Sequence, residues 1–273
     1  MKEHYWEEKG IYYRTNDFKP DRLTLVFVHG VSGSSSAWLN YEPIFENKYN
    51  LLFYDIRGHG MSKKYSNYAD YEIKKFADDL FDLVSYLKIS KFVLISNSFG
   101  SLIALEYLKL HKETVLANVF TSPAVYLDQD PSARKFKLVL HILNKILSIL
   151  PFNPKPRGHV DYSKYLNSRD TDIGRNWADM KNTTLRVHFY TLEQSLAPGQ
   201  KYPITEINTP TLIMHGEIDS WVPIKNSIRM SKEIKNSTFV SIPGIQHDTA
   251  RNSVKEISEA IESFIEKNKA SLL

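Results

Sequence analysis

The chain has 273 residues, of which 42% are hydrophobic and 24% charged, a balance typical of one large globular domain or of a core that carries an insertion. A dispersed formal net charge of +4 argues against nucleic-acid binding, and the lack of cysteine excludes disulfides, thiol catalysis and cysteine-bound metals. The polar start and the lack of an apolar run of about 18 residues argue against a signal peptide and a membrane span. We therefore expect a cytoplasmic protein.

In chain order, the patterns predict an edge hairpin followed by alternating strands and helices. Two β-prone pieces in 4–14, separated by Lys9-Gly10, predict the hairpin. Most of the later strands are short runs of Val, Leu, Ile and Phe, which is typical of parallel strands covered on both faces. The predicted strands are 23–28, 51–54, 92–96, 117–121, 211–215 and 238–242, and the predicted helices between them are 70–87, 102–111, 224–234 and 254–264.

One serine stands between a predicted strand and a predicted helix. Ser98 follows the strand 92–96 and has the small residues Ser96 and Gly100 two positions away on either side. A strained turn that pushes a serine hydroxyl out above a sheet needs small residues at these two positions. The pattern therefore predicts a nucleophile elbow, although Ser96 stands where glycine is usual.

Three more segments place reactive groups after strands. His29-Gly30-Val31 follows the strand 23–28, Asp219 follows 211–215, and His247 follows 238–242. With Ser98 they give the chain order serine, aspartate, histidine. Because parallel strands end at the same edge of a sheet, we expect these side chains to meet there.

This order resembles that of the α/β-hydrolases. The segment 54–62 also resembles the D-x-R-G-H-G-x-S turn found after the fourth strand of many members, in which we interpret Arg57 and His59 as structural. The resemblance covers nearly the whole chain apart from 124 to about 206. It implies an α/β fold with a doubly wound, mostly parallel sheet and an inserted helical cap.

The resemblance also implies a mechanism without metal or organic cofactor. Ser98 would attack a carbonyl, His247 would act as the base, and Asp219 would hold the imidazole. The backbone N–H groups of Val31 and Phe99 would hold the oxyanion. Three other carboxylates remain candidates for the acid, namely Glu217, Asp248 and Asp128.

Strand–helix alternation stops in 124–206, a segment punctuated by prolines in which we predict two helices. These are 132–150 and 175–196, the second broken at 182–184. We expect 1–123 and 207–273 to form the core and 124–206 a cap that sets substrate choice, or else a surface excursion without that role. The cap has 12 Lys and Arg against 8 Asp and Glu. This excess indicates solvated faces, or a surface that attracts anionic substrates or acidic lipids.

The serine at position 98 argues against haloalkane dehalogenase and epoxide hydrolase chemistry, for which this fold uses aspartate there. Asn97-Ser98 resembles the elbow of meta-cleavage C–C hydrolases, but Asp248 follows His247 where those enzymes usually have tryptophan. We therefore expect a carboxylesterase acting on small esters of hydrophobic acyl or aromatic groups. The C–C hydrolase, proline iminopeptidase, acylglycerol lipase and a non-catalytic ligand receptor remain alternatives, and homo-oligomerisation stays open. The candidate pocket residues are Trp38, Tyr126, Trp177 and Trp221.

Overall fold

A single eight-stranded sheet forms the centre of the protein. The computed structural model describes residues 1–165, 168–196, 202 and 204–272. The strand order is β1-β2-β4-β3-β5-β6-β7-β8, in which β2 pairs antiparallel with β1 and β4 while the other neighbours are parallel. The strands are β1 Lys2–Trp6, β2 Ile11–Thr15, β3 Thr24–Val28, β4 Asn50–Tyr54, β5 Phe92–Asn97, β6 Val115–Thr121, β7 Thr211–Gly216 and β8 Ser237–Ile242.

Helices connect the strands. They are α1 Glu42–Phe45, α2 Ile73–Tyr86, α3 Phe99–His111, α4 Pro131–Ile149, α5 Ile173–Thr183, α6 Leu185–Ser195, α7 Ile224–Glu233, α8 Thr249–Asn252, α9 Val254–Lys267 and α10 Lys269–Leu272. Short 3-10 turns lie at Ser35–Tyr41, Tyr68–Tyr71, Lys112–Thr114, Leu127–Gln129, Tyr162–Tyr165 and Ile204–Glu206.

The core lies on both faces of the sheet because side chains alternate along each strand. On β3, Val26 and Val28 pack into the apolar cluster that contains α2 and α3, whereas Leu25 and Phe27 pack into the cluster that contains α9. All four side chains are fully buried. This arrangement confirms the predicted doubly wound α/β fold with parallel strands covered on both sides.

The predicted elements are present with shifted ends. The edge hairpin and all six later strands appear within two residues of their predicted limits. The helix predicted from residue 102 begins at Phe99, directly after Ser98, and the helix predicted from residue 70 begins at Ile73 after a 3-10 turn. Apolar periodicity marks the middle of a helix better than its first turn, where capping geometry decides.

The described part of the segment 124–206 is helical and contains no strand. It holds α4, α5 and α6, and the predicted break falls at Thr184, whose φ of +83° interrupts the helical backbone between α5 and α6. α4 packs lengthwise against α6. Within the described ranges, no helix is long and apolar enough to cross a membrane.

Candidate active site

Ser98 occupies a strained turn at the carboxyl end of the sheet. β5 ends at Asn97, α3 begins at Phe99, and Ser98 between them has φ +50° and ψ −118°, a region that L-residues rarely adopt. A Cβ on Gly100 would lie 2.6 Å from the carbonyl oxygen of Val28, so only glycine fits there. The side chain of Ser96 is fully buried, which explains why a small residue is required on the other side.

The structure brings Ser98, His247 and Asp219 together. The Oγ of Ser98 lies 2.8 Å from Nε2 of His247, and Nδ1 of His247 lies 2.7 Å from Oδ2 of Asp219. The Asp219 side chain is fully buried and the His247 side chain is 9% exposed. A carboxylate on Nδ1 leaves Nε2 free to accept a proton from the serine hydroxyl, which is the arrangement that hydrolysis by a nucleophilic serine needs.

Asp219 is held by more than His247. Its Oδ1 accepts hydrogen bonds from the backbone N–H groups of Trp221 and Val222, each 2.8 Å long. His215, fully buried, places Nε2 3.0 Å from Oδ2. Burial raises the pKa of the Asp219 carboxyl, but hydrogen bonds from the two histidines outweigh it and hold the pKa well below its ordinary value. The carboxylate therefore stays charged and its orientation is fixed.

The turn after β3 lies directly against the serine. A Cβ built on Gly30 would stand 3.1 Å from Cβ of Ser98, so the Gly30 backbone passes beside the serine side chain. Phe99, at the first position of α3, directs its backbone N–H towards the start of the helix, where amides have no partner within the helix. The Gly30 backbone and the first turn of α3 thus lie beside Ser98.

Sequence reasoning missed Asp170, which ties the helical segment to the histidine loop. Its Oδ2 accepts a 2.9 Å hydrogen bond from the backbone N–H of His247 and a 3.1 Å bond from the hydroxyl of Ser220. Its own N–H donates to Oε1 of Gln246 over 2.7 Å. Asp170 is 1% exposed. A lone aspartate in an irregular loop carries no local sequence signal, so only the tertiary structure identifies it.

His188 makes a second contact of this kind, on the other side of the site. Nδ1 of His188 on α6 hydrogen-bonds the hydroxyl of Ser32, the residue after Val31. Thr183 adds a 3.2 Å bond from its hydroxyl to the carbonyl of Ser32. Burial lowers the pKa of His188 to about 4, so this imidazole is neutral at neutral pH.

The glycine-rich turn after β4 is structural, as we interpret it from the sequence. Arg57 forms a two-point pair with Asp79 at 2.6 and 2.7 Å, and His59 is fully buried with Nδ1 2.9 Å from the carbonyl of Arg57. Asp55 accepts hydrogen bonds from Ser35 N–H and from His159 Nε2, both 2.7 Å long. These contacts fix the turn and place none of its side chains on Ser98.

The candidate pocket residues separate into different environments. Trp38 is fully buried against Phe27, with ring centres 5.1 Å apart, in the core cluster on the sheet face opposite Phe99. The prediction that Trp38 lines the pocket is therefore wrong, because an aromatic residue in a core and one in a pocket look alike in sequence. Trp221 is half-exposed, and its ring centre lies 5.4 Å from that of His247.

Tyr126 contacts residues of α7, and Trp177 is largely exposed. The hydroxyl of Tyr126 donates to Glu233 over 2.6 Å, and its ring stacks under Arg229. It lines a cleft of about 330 Å³ whose described lining includes neither Ser98 nor His247. Trp177 on α5 is 56% exposed.

The other carboxylates considered for the acid have different partners. Asp248 pairs with Arg175 at 3.4 Å and with Arg251, Glu217 accepts from the backbone N–H of Gly244, and Asp128 lies in the turn Leu127–Gln129 beside the Tyr126 cleft. Within the described residues, no group of three or more His, Cys, Asp or Glu side chains is arranged to hold a metal.

The chain matches a known protein family over most of its length. The family model described as serine aminopeptidase, S33, matches residues 19–253. The chain belongs to this α/β-hydrolase family, and the predicted resemblance to α/β-hydrolases is confirmed. It is therefore a hydrolase.

Individual relatives are distant but similar along most of their length. A Haemophilus influenzae protein provisionally named an esterase/lipase is 24% identical over 252 residues, which are 89% of this chain and 83% of that protein. The uncharacterized hydrolase YugF of Bacillus subtilis is 25% identical over 94% of both chains. Among solved structures, an α/β-hydrolase from a Medee basin deep-sea metagenome has a TM-score of 0.74 at 19% identity over 97% of both chains. A thermophilic esterase from Thermogutta terrifontis has a TM-score of 0.71 at 18% identity over 94% of both chains. These structures share the fold.

Proposed function

We propose that this hydrolase is a serine carboxylesterase that cleaves small esters through an acyl-enzyme on Ser98. The observation that carries the proposal is the continuous contact from Ser98 Oγ to His247 Nε2, 2.8 Å, and from His247 Nδ1 to Asp219 Oδ2, 2.7 Å. His247 takes the proton from Ser98 as Oγ attacks the ester carbonyl and then gives it to the leaving alcohol. A water molecule, activated by the same histidine, then releases the acid.

The backbone N–H groups of Val31 and Phe99 would hold the oxyanion of the tetrahedral intermediate. The 3.1 Å approach between the Gly30 backbone and Ser98, together with the position of Phe99 at the start of α3, supports this assignment. Each such donor contributes about 10²–10³ in rate.

We assign 1–123 and 207–273 to the catalytic core and 124–206 to a cap. Two contacts support a cap that lies over the site: Asp170 holds the His247 backbone, and His188 holds Ser32 next to the oxyanion turn. In this assignment the cap shapes the substrate pocket and supplies none of the three reactive side chains. Trp221, half-exposed beside His247, is the aromatic pocket residue that we retain.

Esters are the preferred substrate class for two reasons. Serine at position 98 suits an acyl-enzyme and argues against dehalogenase and epoxide hydrolase chemistry. Asp248, which follows His247 and pairs with Arg175, stands where C–C hydrolases usually have tryptophan and argues against that class. The esterase names of the Haemophilus relative and of the Thermogutta structure point the same way. The family description, serine aminopeptidase, makes peptide bonds the competing class, and an Arabidopsis thaliana relative named proline iminopeptidase points to those after proline; it is 28% identical over 177 residues, which are 62% of this chain and 44% of that protein.

The test is a substrate panel with the purified protein and its Ser98→Ala variant. The panel contains p-nitrophenyl esters from acetate to octanoate, p-nitrophenyl phenylacetate, and proline p-nitroanilide. We expect ester turnover that depends on Ser98 and an optimum within the acyl-chain series. Turnover of the anilide alone would replace the esterase by an aminopeptidase. Ligand binding without any turnover would indicate a receptor.

A further inference from the structure

Helix α4 carries aliphatic residues on both of its sides, which is unusual for a surface helix. The side that faces the protein holds Leu140, Leu143 and Leu147 and one polar residue, Asn144. The Nδ2 of Asn144 donates to Glu193 over 2.6 Å and to the carbonyl of Phe189 over 3.1 Å. His141 adds a 3.0 Å contact to the same Glu193. These bonds fix the rotation of α4 about its own axis where it packs on α6.

The opposite side of α4 presents a row of large aliphatic residues to solvent. After an adjacent pair they follow one another at three- and four-residue spacing, and they are between 51% and 82% exposed. Surface helices normally turn such a row towards the core. We call this row the α4 apolar face, and it consists of Leu138, Val139, Ile142, Ile146 and Ile149.

Along α4 and the segment that follows it, the charged side chains are all basic, and the nearest acidic residue in the chain is Asp130, which caps the start of the helix. The 27-residue stretch 131–157 contains six Lys and Arg and no Asp or Glu. Lys135 and Lys145 are exposed and lie three or four residues from members of the α4 apolar face, so they project from the same side of the helix. Among the ion pairs of the described residues, none involves Lys135, Lys137 or Lys145.

We propose that the α4 apolar face docks the protein on an anionic lipid surface, with α4 lying in the plane of the interface. Exposed aliphatic residues enter the boundary between headgroups and acyl chains, and the flanking lysines meet the lipid phosphates. A second copy of this chain fits less well, because a two-fold contact through this face would bring the lysines of both copies to one interface, where 131–157 supplies no Asp or Glu to pair with them. Docking of this kind is independent of ester hydrolysis.

The experiment measures sedimentation of the full chain with vesicles of phosphatidylcholine alone and of phosphatidylcholine mixed equally with phosphatidylglycerol. We expect binding to the mixed vesicles that weakens with salt. Ile146→Asp should weaken it by more than about tenfold, because a charge replaces an aliphatic side chain in the interface. Lys135→Gln and Lys145→Gln should each cost about fivefold.

The matched control is Leu110→Asp on α3, since Leu110 and Ile146 are both 51% exposed. This variant should bind vesicles like the unaltered protein, and all variants should hydrolyse p-nitrophenyl acetate at the unaltered rate. Absence of binding to mixed vesicles would overturn the proposal, as would equal loss in Leu110→Asp. Dimerisation in light scattering that Ile146→Asp abolishes, without vesicle binding, would assign the face to a second copy instead.

Discussion

Acidification should destabilise the protein through His188. Burial lowers the pKa of this imidazole to about 4 in the folded chain, whereas an exposed histidine titrates at about 6.5. Between these values the unfolded chain binds more protons than the folded chain, so lower pH favours unfolding. The full difference corresponds to about 3 kcal/mol, and about 2 kcal/mol of it is lost between about pH 7 and about pH 5.

Urea denaturation at the two pH values measures this contribution. His188→Gln has no titrating ring, so its loss of unfolding free energy on acidification should be about 2 kcal/mol smaller than that of the unaltered protein. Ser32→Ala is the control, because it removes the hydrogen-bond partner but keeps the buried ring, and should retain the acid sensitivity. Equal pH dependence in His188→Gln and the unaltered protein would refute the reasoning.

Two further predictions concern the residues that hold His247. Asp219→Asn should lower kcat about 10⁴-fold with the fold kept, because the amide favours the wrong imidazole tautomer. Steady-state kinetics would contradict this if Asp219→Asn leaves kcat nearly unchanged while Asp128→Asn lowers it strongly. Asp170→Ala removes the acceptor for the His247 N–H and the Ser220 hydroxyl, so kcat should fall by about 10–10²-fold with little change in KM. Asp170→Asn, which keeps an acceptor oxygen, should recover part of the loss, and a wild-type kcat in Asp170→Ala would show that this contact does not position the histidine.

Much of the fold follows from local patterns in the sequence. The strands around Val26 and Leu94 are short aliphatic runs because both faces are buried, and their ends carry the residues that the site brings together. Steric demands explain the elbow equally well, since a Cβ at Gly100 would meet the backbone of β3. The residues that determine such features lie close together in the chain, so a single sequence suffices to predict them.

Contacts between distant segments are different. Asp170 and His188 act on loops that lie 77 and 156 positions away in the chain, and neither has a neighbour that marks its role. The prediction that Trp38 lines the pocket was wrong for a related reason. An aromatic residue after a strand suits a core or a pocket equally well, and only the tertiary packing distinguishes the two. The outward face of α4 also escaped prediction: its apolar spacing indicates a helix, while the direction in which it points depends on the polar contacts of Asn144.

The most direct test of the account is covalent labelling with a fluorophosphonate, followed by mass spectrometry of the digested protein. The account predicts one labelled peptide with the adduct on Ser98. Ser98→Ala should lose the label and lower kcat by about 10⁶-fold, as removal of a catalytic serine does. A label that persists on Ser96 or Ser101 in this variant, or ester hydrolysis at the unaltered rate, would contradict the assignment of Ser98 as the nucleophile.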